Sequence, residues 1–73
     1  MTRGEVARLL TMRATYHGVE VGESDVEAWF ATVGDLDYGR SVGVLVQHYK
    51  ETRDWLMPAD LRPEPDLADL RFA

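Results

Sequence analysis

Residues 24–34, SDVEAWFATVG, decide the fold class. Val26, Trp29, Phe30 and Val33 stand at i, i+3, i+4 and i+7, the spacing that gathers apolar side chains on one face of an α-helix. A strand would scatter the same four over both of its faces. Ser24 and Glu27 have capping-box spacing, with the hydroxyl as N-cap, and Gly34 is a natural stop. The stretch predicts a short amphipathic helix whose apolar stripe needs a core to cover it.

The chain before it supplies one wall of that core. Thr2-Arg3-Gly4-Glu5 repeats the capping-box spacing, and Val6, Leu9 and Leu10 follow as a stripe. Met12 and Tyr16 widen the stripe on one side, and Gly18 predicts its end. Arg13 falls inside the stripe, where a long cation either snorkels or pairs with an acid from residues 20–37. Val19-Glu20-Val21-Gly22-Glu23 reads as an extended connection.

The chain after it supplies the other wall. Asp37 is the expected N-cap of a third helix running to about Arg53, with Tyr38, Val42, Leu45, Val46 and Tyr49 on one face. Val44, His48 and Glu51 point away from that face, and Gly39 and Gly43 would admit a neighbouring helix. Pro58 cannot continue a helix but suits the first position of a new one. Pro63 and Pro65 then interrupt the chain, leaving one turn near 59–62 and a short helix around 66–71. The expected architecture is all-α: a three-helix bundle over residues 1–62 and a short acidic, proline-interrupted C-terminal element over 63–73.

Composition narrows the function. The chain has 73 residues, 45% apolar and 29% charged, with no Cys and a formal charge of −5. That is one small acidic domain, without thiolate metal sites or disulfides and without a membrane-spanning run. The default setting is the cytoplasm. His17 and His48 stand on different helices outside any HxxxH spacing, so a metal site is not expected. Ser24 and Ser41 lack a nucleophile motif, and no glycine-rich phosphate loop is present. Neither an enzyme nor a cofactor is expected.

Direct nucleic-acid binding is disfavoured too. Arg3, Arg8 and Arg13 are five residues apart and spread around their helix, while Arg40, Lys50 and Arg53 are scattered along the third. Residues 19–37 hold six acids and no Lys or Arg, a block that would repel a phosphate backbone and could attract a basic protein surface, although its plainer reading is a solvated loop and helix N-terminus. Protein binding is left. Its candidate residues are Glu20, Glu23 and Glu27 for steering, and Met12, Tyr16, Trp55, Leu56 and Met57 as apolar anchors. The plainer reading of Trp55 and Leu56 is that they close the open end of the bundle.

The order of features resembles a known family. A capped helix Glu5-Val6-Ala7-Arg8-Leu9-Leu10 leads to Val19–Val21, then to Val26-Glu27-Ala28-Trp29 and the acidic turn Asp35-Leu36-Asp37. A helix ending in His48-Tyr49 follows, and Trp55-Leu56-Met57-Pro58-Ala59-Asp60-Leu61 closes the pattern. Residues 3–62 thereby resemble the N-terminal helical domain of the phage replicative-helicase loader and inhibitor family. Trp29 and Tyr49 match its core positions, and Pro58 matches the start of its last helix.

The resemblance implies a non-enzymatic phage adaptor in the bacterial host cytoplasm. Such an adaptor binds a hexameric replicative helicase, holds it inactive and delivers it to the replication origin. The chain departs from the family after Pro63, where acids stand in place of a basic helix and flexible tail. A host protein is therefore an alternative partner, making the chain a host-directed inhibitor of the same fold. A small dimeric DNA-binding module is a further alternative, and a homodimer is compatible with so short a chain.

Overall fold

Thr2 begins the first helix as its sequence dictates. In the computed structural model, which describes residues 1–62, the Thr2 hydroxyl accepts from the Glu5 amide (3.1 Å) and the Glu5 carboxylate accepts from the Thr2 amide (2.9 Å). Both halves of the capping box are therefore made. Helix α1 spans Arg3–His17 and ends at Gly18, whose φ of 66° is the left-handed conformation that glycine adopts without strain.

Helix α2 spans Glu23–Val33 and starts one residue before the expected cap. Gly22, not Ser24, is its N-cap, and the Gly22 amide donates to the Asp25 carboxylate at 3.0 Å. An acid at the third helical position reaches back to the cap amide whether or not the cap has a side chain, so Asp25 selects the earlier start. Glu23 and Asp25 then lie in the first turn, against the positive end of the helix dipole.

Helix α3 spans Tyr38–Glu51, with Asp37 as N-cap accepting from the Arg40 amide at 2.8 Å. It stops short of Arg53. Thr52 is extended (φ −151°, ψ 157°), its hydroxyl accepts from the Asp54 amide at 3.1 Å, and the Asp54 carbonyl bonds His48 at 2.7 Å. Those side-chain bonds turn the chain out of the helix. Helix α4, Pro58–Leu61, is one turn with proline at its start, and Asp60 accepts from the Met57 amide at 2.8 Å. The short helix expected around 66–71 lies outside the described residues.

These elements enclose one core. Val6, Leu9 and Leu10 of α1 meet Trp29 and Val33 of α2, Leu45 of α3, Leu56 of the 52–57 linker and Leu61 of α4. Val26, Phe30, Val42 and Tyr49 are half-buried against it. The fold is an all-α bundle, as its periodicity implies; the described residues form helices α1 to α4 and no strand.

The face of α3 is rotated from expectation. Its buried line runs through Ser41 and Leu45, and Val44 packs on the core instead of pointing away. Val46 is 40% exposed and is not a core residue. It stands about 100° round the helix from Leu45, on the opposite flank from Val44, which packs on the core. Among the described residues no backbone approaches Gly39 or Gly43: a Cβ built at Gly43 meets none of them within 4 Å, and one at Gly39 meets the carboxylate of the cap Asp37. No helix among the described residues is long and apolar enough to cross a membrane.

The acidic middle is partly consumed in holding the bundle. Glu27 pairs with Arg3 at 2.8 Å, tying α2 to α1, and Asp35 pairs with Arg62 at 2.9 Å beyond α4. Arg62 also donates to the Thr32 carbonyl at 2.8 Å, and the Met1 amino group donates to the carbonyls of Gly34 and, at 2.8 Å, Leu36.

Two expectations follow. Leu56→Ala lowers unfolding free energy by about 2–4 kcal/mol in urea titration, while Val46→Ala changes it by no more than about 0.5 kcal/mol. The hydrogen bonds from Arg3 and Arg62 hold the Glu27 and Asp35 carboxyls below their ordinary range. Their contribution is complete above that ordinary range and lost as pH falls through the lowered values. Thermal melts of the full chain therefore decline with acidification below about pH 4, and Glu27→Gln with Asp35→Asn flattens part of that decline.

Candidate functional site

Leu56 is the hinge of the site because its backbone is held from both sides while its side chain fills the core. Its carbonyl accepts from Arg13 Nε at 2.7 Å, and its amide donates to the Tyr49 hydroxyl at 3.2 Å. The Leu56 side chain is fully buried, so it is not the exposed anchor its neighbours suggested. An unhelical linker keeps its peptide groups unpaired by its own backbone, and Arg13 and Tyr49 supply the partners.

Arg13 thus pairs with a carbonyl and aromatic rings, not with an acid from residues 20–37. Its guanidinium lies 5.0 Å from the centre of the Trp29 ring and 4.7 Å from that of Trp55. One turn further along α1, His17 stacks on Trp55 with ring centres 3.7 Å apart and planes 3° from parallel. Trp55 consequently lies across Arg13 and His17 of one helical face, and it remains 46% exposed.

The ladder continues across α3. His17 Nε2 and the Tyr49 hydroxyl share a 2.6 Å hydrogen bond, and Tyr49 stacks on Tyr16 at 4.3 Å between centres. His48 meets the Tyr49 ring edge-on at 4.9 Å. Tyr16 is 55% exposed and Met57 50% exposed, with the Met57 sulfur 3.8 Å from an Arg13 terminal nitrogen. Beside the ladder, Tyr16, Tyr49, Lys50, Glu51, Thr52 and Arg53 line an open groove of about 370 Å³.

The other expected residues are placed elsewhere. Met12 is half-buried against the core and presents no exposed flank. Glu20 and Glu23 are exposed on the α1–α2 connection and the first turn of α2, and Glu27 is engaged by Arg3. The tertiary fold therefore brings together Tyr16, Trp55 and Met57 through Tyr49, His17 and Arg13. Among the described residues no group of three His, Cys, Asp or Glu side chains is placed to hold a metal ion. The described site offers ring faces, a thioether and cations at one end of the bundle. Such surfaces bind by desolvation and stacking.

The parts that the residue pattern left unassigned are His17 and the role of Arg13. Their signal was the i, i+4 spacing that places both on one face of α1, which matters only once Trp55 returns to cover them. The chain matches no protein-family model, no curated protein and no solved structure.

Tyr49→Phe tests the clamp. It keeps the rings but removes the partner of the Leu56 amide, costing about 1–3 kcal/mol of unfolding free energy. Trp55 emission shifts as the linker loosens. Unchanged stability and emission would show that the hydroxyl does not hold the linker.

Proposed function

We propose that this chain is an adaptor that acts by protein–protein contact, without chemistry of its own, in the bacterial cytoplasm. Its leading partner is the one that the helicase-loader resemblance implies, a hexameric replicative helicase of a phage replication system whose activity it modulates. The observation that carries the binding reading is the Tyr16–Trp55–Met57 edge. Its three large side chains are each about half exposed, and the rings are stacked on Tyr49 and His17.

Aromatic residues and methionine supply much of the energy of protein interfaces because they desolvate large areas. Rings already fixed by stacking lose little rotamer freedom when a partner covers them. None of the edge residues takes part in the two pairings that occupy Glu27 and Asp35, so association does not require those pairs to break. Glu20 and Glu23 are the acids left for steering a basic surface toward the chain.

Size-exclusion chromatography with light scattering, on the chain mixed with the helicase, tests this reading. A defined complex is expected, and Trp55→Ala with Met57→Ala weakens it by about 30-fold or more, chiefly through faster dissociation. Separate elution of the two proteins would refute the helicase as partner. An unchanged complex with the double variant would refute the edge.

A further inference from the structure

We propose that the groove beside the aromatic edge takes an acidic peptide segment carrying a leucine or phenylalanine anchor, and that this segment is what a partner presents. The inference rests on the protein-binding reading and adds the chemistry of the partner. Charge complementarity carries it, together with the shape of the groove.

The structure sorts the charges of this acidic chain in a way its net charge hides. Among the described residues, Glu27 and Asp35 are in ion pairs, and Glu5, Asp25, Asp37 and Asp60 accept from backbone amides at the starts of the four helices. Among the described residues, Arg8, Arg13, Arg40, Lys50 and Arg53 are in no ion pair; of these, Arg13 lies against Trp55, and Lys50 and Arg53 line the groove beside the aromatic ladder. Lys50 and Arg53 are exposed on the groove wall. Among the described residues that wall also holds Glu51, whose carboxylate accepts from the Gln47 side-chain amide at 2.9 Å and leaves the two cations in excess by one charge.

The stacked Tyr16–Tyr49 pair lines the groove, so an apolar side chain finds aromatic surface and the flanking carboxylates find ammonium and guanidinium groups. A nucleic acid fits less well. Two groove cations give few phosphate contacts along a nucleic-acid backbone.

The probes are three fluorescein-labelled hexapeptides read by anisotropy against the full chain. Glu-Asp-Leu-Asp-Asp-Phe carries both features, Gln-Asn-Leu-Asn-Asn-Phe lacks the charges, and Glu-Asp-Ala-Asp-Asp-Ala lacks the anchors. The first binds at least tenfold more tightly than either of the others. Lys50→Gln with Arg53→Gln lowers its affinity about tenfold, and added salt does the same. Both residues are exposed, and a circular dichroism melt of the variant verifies that the fold is intact.

Equal binding of the neutral and acidic peptides would overturn the inference, as would a labelled oligothymidylate that binds as tightly and with the same dependence on Lys50 and Arg53. A helicase complex that is lost on Trp55→Ala with Met57→Ala but indifferent to Lys50→Gln with Arg53→Gln would overturn it too, and would leave the adaptor reading standing.

Discussion

The backbone of Leu56 is the constraint on which the open end of this bundle depends. A linker of six residues leaves α3 at Thr52 and must return to the core without helical hydrogen bonds of its own. Arg13 takes its carbonyl, Tyr49 takes its amide, and the leucine side chain closes the core between them. Each of these side chains does a second job because of the first. Arg13 is drawn under Trp55, and Tyr49 is fixed between Tyr16 and His17. The exposed edge is thus a by-product of satisfying the two part-buried peptide groups that flank Leu56.

The charges follow the same economy. A short chain with thirteen acids and eight basic residues would repel itself if its carboxylates were idle. Most of those described here are set to work locally, at helix starts where the dipole favours them or against Arg3 and Arg62 across the bundle. Among the described residues left outside those roles, Glu20 and Glu23 are exposed after α1, and Lys50 and Arg53 line the aromatic groove together with Glu51. Net charge alone describes neither surface.

Much of the fold was legible because its signals are local. The helices α1, α2 and α3, the caps Thr2 and Asp37, the stops at Gly18 and Gly34 and the start at Pro58 each rest on contacts within a few residues. The misplacements have equally local causes. Ser24 and Asp25 both offered a cap interaction, and only the competition between them decided for Gly22. Val46 and Val44 flank the α3 stripe on opposite sides, and periodicity does not say which flank a neighbour covers. Of the binding candidates, Tyr16, Trp55 and Met57 are exposed, whereas Leu56 and Met12 are needed by the core.

Read alone, then, the chain settles an all-α bundle, its helix boundaries to within a residue or two and the bulk of its core, because helical periodicity and capping depend on neighbours in sequence. It is silent on which exposed rings become a surface. That was decided when the 52–57 linker folded back over Arg13 and His17, more than thirty residues away along the chain. Burial and stacking between such distant residues depend on the packing of all the helices at once, and no local pattern encodes that.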